Sequence, residues 1–227
     1  MRTMVRLALF DIDGTLIRTH GAGVKAFARA FAVEFGLGNG TETMSFAGRT
    51  DTSLVREFLH QHGRLVTPDD MQRFQDCYVF LLDHYLREST GGVIPGVKEF
   101  MVALKKGNPS VVFGLLTGNI RLGAEIKLRH FGLWGDFVTG AFADDHEDRN
   151  EIARIAFERG RALLGKSLKP AEVLVVGDTP HDIRCGRAIG ARTLAVATGG
   201  ATLDELKRHQ PDWAVENLVG FPVAELL

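Results

Sequence analysis

Val5-Arg6-Leu7-Ala8-Leu9-Phe10 runs straight into Asp11-Ile12-Asp13-Gly14-Thr15-Leu16. A short, mainly apolar run closed by turn residues reads as a buried strand. Carboxylates at its end are costly to desolvate unless a cation or a chemical task compensates. Gly14 and Thr15 turn the chain and offer backbone N–H groups to an anion. The stretch therefore predicts a carboxylate nucleophile, Asp11, with an acid/base partner, Asp13, arranged to accept a phosphoryl group.

Working outward, the sequence from about residue 92 alternates short β-rich runs with helical patterns. Strands are expected over 111–116, 137–143, 173–176 and 193–197. Between them, Val97, Phe100, Met101 and Leu104 keep a helical period ended by Gly107, and Ile152, Ile155, Ala156, Arg159 and Leu163 keep another. This alternation predicts an α/β fold, a Rossmann-like parallel sheet with helices on both faces. Residues 19–89 read differently. Val24, Phe27, Ala28, Phe31 and Phe35 form one helical stripe, and Leu54, Val55, Phe58 and Leu59 a second. Thr67-Pro68-Asp69-Asp70 supplies an N-cap, a proline at N1 and first-turn acids. It opens a third helix, with Met71, Phe74, Tyr78, Leu81, Leu82 and Tyr85 on one side. The expected organisation is a core of residues 1–18 and 90–227, interrupted by an all-helical cap over 19–89. Hinges are expected near 15–20 and 88–95, the second carrying Gly91-Gly92 and Ile94-Pro95-Gly96.

Composition narrows the classes of partner. The chain has 227 residues, 45% of them hydrophobic, and a formal net charge of −1, which offers no broad surface for nucleic acid or membrane. Its two cysteines, Cys77 and Cys185, form no CxxC and read as core residues. There is no signal-peptide pattern and no apolar run of about 18 residues that would span a bilayer. The expectation is a cytoplasmic protein, monomer or homodimer, whose partner is a small phosphorylated metabolite.

In an open parallel sheet the carboxyl ends of the strands share one edge, where ligands bind. Asp11, Asp13, Thr117, Arg149, Asp178 and Asp182 all follow strands and should meet in one crevice. Acids so close need a divalent cation, and an all-oxygen donor set points to Mg²⁺. Asp11 and Asp178 are expected as its side-chain ligands, the Asp13 carbonyl as a third, and Asp182 as a ligand through water or an orienting group. Thr117 and the N–H groups of Gly118 and Asn119 should hold phosphoryl oxygens near a helix N-terminus, while Arg149 neutralises charge on them. Plainer readings are open for some of these. Thr117 could be a helix N-cap, Asp178 and Asp182 caps of the next helix, Asp144 to Asp148 a solvated loop, and His181 a polar residue at a helix start. An EF-hand fails, because Gly14 comes fourth and Ala22 stands at position 12. No G-x-G-x-x-G follows the first strand and no Walker A sequence occurs.

Asp11-Ile12-Asp13-Gly14-Thr15-Leu16, Thr117-Gly118-Asn119 and Gly177-Asp178-Thr179-Pro180-His181-Asp182 resemble the first, second and fourth motifs of the haloacid dehalogenase-like hydrolase superfamily. The helical insertion resembles the cap of its phosphoglycolate phosphatase and β-phosphoglucomutase branch. The resemblance implies a Mg²⁺-dependent phosphatase acting through an aspartyl phosphate, with a sugar-phosphate mutase as the alternative. It also implies that Arg49, in Phe46-Ala47-Gly48-Arg49-Thr50-Asp51, reads the substrate from a cap loop. Where the family usually places a third-motif lysine, this chain has Arg149; Lys169-Pro170 lies too close to Asp178 to take that place. Asp13 argues against the dehalogenase branch. Phosphonate cleavage would need a cap lysine, and the cap carries only Lys25.

Overall fold

The computed structural model describes residues 3–227. The chain runs β1 (Leu7–Phe10), β2 (Ile17–Arg18), α1 (Ala22–Phe35), α2 (Asp51–Gln61), α3 (Pro68–Arg87), β3 (Gly92–Val93) and α4 (Val97–Gly107). It continues through β4 (Val112–Leu116), α5 (Arg121–His130), β5 (Thr139–Ala141), α6 (Arg149–Leu164), β6 (Val173–Gly177), α7 (Pro180–Ala188), β7 (Arg192–Val196), α8 (Leu203–Arg208) and β8 (Trp213–Val215).

Six strands form one sheet in the order β5-β4-β1-β6-β7-β8, and every pairing in it is parallel. Phe10 pairs with Leu115 on one side and Val176 on the other, so β1, β4 and β6 end nearly level. Alternation along β1 feeds two layers, since successive side chains of a strand point to opposite faces. Ala8 and Phe10 pack with α4 and α5, whereas Leu7 and Leu9 pack with α6 and α7. The sheet is thereby covered on both sides, as the α/β reading requires.

α1, α2 and α3 intervene between β1 and the rest of the sheet and share an aromatic cluster of Phe27, Phe31, Phe58, Phe74 and Tyr78. Phe31 stacks on Phe58 with ring centroids 4.0 Å apart. Thr67 caps α3 through the Asp70 N–H at 3.1 Å, and Asp70 answers to the Thr67 backbone. β2 and β3 pair antiparallel, Ile17 with Val93 and Arg18 with Gly92, so the two passages between sheet and helices run side by side. A Cβ at Gly91 would sit 2.1 Å from the Arg18 carbonyl oxygen, a space only glycine leaves open. Among the described residues, no helix is long and apolar enough to cross a membrane.

Two helices turn differently from their expected faces. On α6 the buried positions are Arg149, Ile152, Ala153, Ala156 and Gly160. Leu163 is exposed, and Arg159 pairs with Asp145 at 2.7 Å. The cause is close approach: a Cβ at Gly160 would lie 2.3 Å from Leu7 Cδ2, so small residues face the sheet. On α1 the buried face runs through Ala22, Ala26, Phe27, Ala30 and Phe31, and Val24 is exposed. Cys185 is buried, but Cys77 is only half-buried. The strand expected over 137–143 shortens to β5, whose pairing with β4 runs only from Thr139 to Ala141. β8 was not among the expected strands.

Replacing Phe58 with Ala removes the stacked partner of Phe31 and opens a cavity. Urea unfolding should show a loss of about 3–5 kcal/mol; a loss under ~1 kcal/mol would mean that the helical block does not depend on this stack.

Candidate active site

The site grows from the ends of β1, β4 and β6 and from the start of α6. Asp11 is buried at 6% exposure, and its N–H donates to the Val176 carbonyl at 3.0 Å, an extension of the sheet ladder. Gly14 then takes φ 85°, and a Cβ there would approach Asp178 Oδ2 to 2.5 Å. The turn after β1 thus packs directly on the acid that follows β6. Thr15 Oγ1 donates to Asp178 Oδ1 at 2.9 Å, and the Gly200 N–H donates to Oδ2 at 3.2 Å. Asp11, Asp178 and Asp182 each bring a carboxylate oxygen within 4.8 Å of the others.

Electrostatics follow from that crowding. Burial pushes Asp11 up to about 7; Arg149 opposes the rise, and the charges of Asp182 and Asp13 add to it. Burial, followed by the charges of Asp182 and Asp11, raises Asp178 well above the ordinary carboxylate range. Arg149, the first residue of α6, is the counter-charge: burial works against its cation, yet Asp182 and Asp11 outweigh burial and hold it protonated. Its guanidinium bonds Asp182 and lies 3.6 Å from Asp11 Oδ1.

The two oxygens of Asp182 are both engaged. Oδ1 accepts from Arg149, and Oδ2 accepts the Thr179 N–H at 3.0 Å and the Thr179 hydroxyl at 2.7 Å. Asp182 therefore caps α7 and orients Arg149. Asp178 accepts one neutral hydrogen bond on each oxygen and Asp182 three in all, one of them from a guanidinium, so Asp11 and Asp178 keep more lone pairs for a hard divalent cation.

At the end of β4, Thr117 Oγ1 accepts the Asn119 N–H at 3.2 Å and Asn119 Nδ2 at 2.8 Å, which leaves its hydroxyl proton to donate. Asn119 faces Asp13, with Nδ2 donating to Asp13 Oδ2 at 2.9 Å. Gly118 lies under the cap loop: a Cβ there would come within 2.0 Å of the Arg49 carbonyl oxygen. The Asp51 N–H donates to the Gly118 carbonyl at 2.7 Å, and Asp51 Oδ2 accepts the Ile120 N–H at 2.8 Å. Thr50 Oγ1 donates to the Glu147 carbonyl at 3.1 Å, and Gly48 packs against His181. One cap loop thus touches the loops after β4, β5 and β6. The Arg49 guanidinium itself pairs with Glu57 on α2.

The acidic loop after β5 is mostly structural. Asp144 accepts the Arg121 N–H, Asp145 accepts the Phe142 N–H at 3.0 Å and pairs with Arg159, and Asp148 caps α6 through the Asn150 N–H at 2.8 Å. Lys169 is exposed just before β6, at the strand's opposite end from Asp178. Lys25 is exposed on α1.

Two residues absent from the expected site belong to it. Lys127 of α5 donates to Asp13 Oδ2 at 2.7 Å and to Asn119 Oδ1 at 2.6 Å. Asp51, at the start of α2, is pushed up to about 6 by burial against the pull of Lys127. Lys127 did carry a signal: it shares a helical stripe with Ala124, Leu128 and Phe131, an odd place for a solvated lysine. Asp11, Asp13, Asp51, Thr117, Lys127, Arg149 and Asp178 line a cavity of about 650 Å³ between cap and core, together with the apolar Phe27, Phe46 and Leu54.

The sequence profile described as haloacid dehalogenase-like hydrolase matches residues 8–196. The chain belongs to that family. Among curated relatives it is 27% identical to a pyrophosphatase PpaX of Oceanobacillus iheyensis over 220 residues, covering 94% of each chain. It is 27% identical to the phosphoglycolate phosphatase of Synechococcus elongatus, covering 92% of this chain and 91% of the relative. It is also 25% identical to the N-acetylmuramic acid 6-phosphate phosphatase of Pseudomonas putida, covering 96% and 93%. A solved structure of CbbY from Rhodobacter sphaeroides superposes with a TM-score of 0.74 at 17% identity, covering 98% and 99%. A hydrolase from Pseudomonas syringae gives 0.71 at 19%, covering 95% of each. These last two likenesses concern the fold.

Asp11 binds its proton more tightly folded than unfolded, from an ordinary value of 3.8 to about 7. The stability it confers is therefore present below pH ~4 and is lost as pH rises toward ~7. In EDTA, the melting temperature should be lower near pH 7.5 than near pH 5.5, by about 2–4 °C for each kcal/mol. Asp178→Asn should narrow that gap by removing a repelling charge. An equal gap in wild type and variant would contradict this electrostatic picture.

Proposed function

We propose that this chain is a Mg²⁺-dependent phosphatase of small phosphomonoesters, acting through a phosphoryl group carried on Asp11. The observation that carries the reading is the buried cluster of Asp11, Asp178 and Asp182 against Arg149, beside a second acid, Asp13, that lines the cavity between cap and core. Asp11, Asp178 and the Asp13 carbonyl would hold the cation. When bound, it relieves the carboxylate repulsion and neutralises phosphoryl oxygens as a Lewis acid.

The chain's own groups then divide the work. An oxygen of Asp11 forms a bond to phosphorus as the ester oxygen leaves, and Asp13 gives its proton to that oxygen. Asp13 next takes a proton from water, whose oxygen attacks phosphorus and releases phosphate from Asp11. A well-placed acid/base of this kind contributes about 10²–10⁴-fold. The Thr117 hydroxyl and the Gly118 N–H hold phosphoryl oxygens. Arg149 sets its positive charge beside Asp11, where negative charge accumulates during transfer.

The cavity has room for a metabolite and little more, and its apolar wall lies where the leaving group would sit. The substrates named for the three relatives, pyrophosphate, phosphoglycolate and a sugar phosphate, are all small phosphoesters or anhydrides. Arg49 lines the cavity while paired with Glu57 and is the cap's candidate for contacting an anionic leaving group.

The test is phosphate release from a panel of small phosphomonoesters, with pyrophosphate included. Activity should vanish in EDTA, return with Mg²⁺, and fall by more than ~10³-fold in Asp11→Asn. Activity that survives Asp11→Asn would remove the nucleophile. Isomerised hexose phosphate with little free phosphate would make the chain a mutase.

A further inference from the structure

Lys127 is a buried cation outside the groups that touch phosphate, at 4% exposure. A lysine so placed needs anionic partners, or its desolvation would destabilise the fold. Its ammonium bonds one oxygen of Asp13, Oδ2, and the same oxygen also accepts from Asn119. Oδ1 of Asp13 has no hydrogen-bond partner among the described residues, and the Asp13 side chain is 42% exposed on the cavity wall. One carboxylate oxygen is pinned by two donors, and the other is left to the cavity.

The cap completes the burial of this lysine. A Cβ at Gly23 of α1 would lie 3.5 Å from Lys127 Nζ. Tyr78 of α3 packs over α5 at Gly123, and Asp51 of α2 feels the charge of Lys127. α1 and α2 therefore approach the core lysine that holds the proposed acid/base, and α3 packs on the helix that carries it.

We infer that Lys127 is a positioning residue that fixes Asp13 so that a single oxygen, Oδ1, exchanges protons with the leaving group. The role rests on the acid/base assignment of Asp13 made above. Without the ammonium, the Asp13 carboxylate can turn about its χ2, and the proton no longer meets the ester oxygen. The loss should then depend on how much the leaving group needs that proton. An alkyl alkoxide needs it; 4-nitrophenolate does not.

The measurement is kcat/KM, which reports the steps through leaving-group departure, for Lys127→Met on an alkyl phosphomonoester turned over by the wild type and on 4-nitrophenyl phosphate. The alkyl value should fall about 10²-fold, and the nitrophenyl value by less than ~5-fold. Lys127→Gln, which keeps a donor at the site, should show the same order with smaller losses. Equal losses on both substrates would make Lys127 a structural residue and overturn the proposal. No loss on either, or failure of both variants to fold by thermal melting, would overturn it as well. Asp11→Asn is assayed alongside. If that variant is inactive while Lys127→Met shows no leaving-group dependence, this inference fails and the phosphatase reading stands; if Asp11→Asn is active, the phosphatase reading itself fails.

Discussion

Charge compensation among buried acids is the constraint on which the rest of the structure depends. Asp11, Asp178 and Asp182 converge at the ends of neighbouring strands, and one guanidinium, Arg149, is set against two of them. Desolvating three carboxylates around a single cation leaves a net negative pocket, which favours protonation or a further positive charge. The parallel sheet makes this convergence possible, because its geometry brings the chain after β1 and β6 to one edge at one level. Gly14 is what lets the two loops touch, since any side chain there would strike Asp178. A cation bound in such a pocket would relieve that repulsion and so stabilise the fold.

The second layer of the design is the cap. Its loop from Phe46 to Asp51 is hydrogen-bonded to Gly118, Ile120 and Glu147 and packs on His181, so the cap is tied to the loops that carry the candidate site. The antiparallel pairing of β2 with β3 keeps both connections side by side, a geometry suited to a hinge that moves the helices as a unit.

Much of this could be read from the chain, because strand ends and acids are local signals. Asp11-x-Asp13 after an apolar run, Thr117 after β4 and Asp178 after β6 each declare themselves within a few residues. Lys127 declares only that it is out of place: it shares a stripe with Ala124, Leu128 and Phe131, and its meaning comes from Asp13, more than a hundred residues away in sequence. Asp51 was hidden in the same way, since its burial arises only when α2 meets the loop after β4. Arg49 shows the reverse: motif position marked it, but Glu57, on the helix that follows its loop, claims the guanidinium. The rotated face of α6 reflects a packing distance, Gly160 against Leu7, that hydrophobic periodicity alone does not encode.

Acid-quenched enzyme, caught during turnover and treated with borohydride to reduce any acyl phosphate, tests the central claim most directly when its peptides are read by mass spectrometry. A reduced side chain is expected at position 11, found with Mg²⁺ and absent in EDTA. Reduction at another residue, or equal trapping in EDTA, would contradict it.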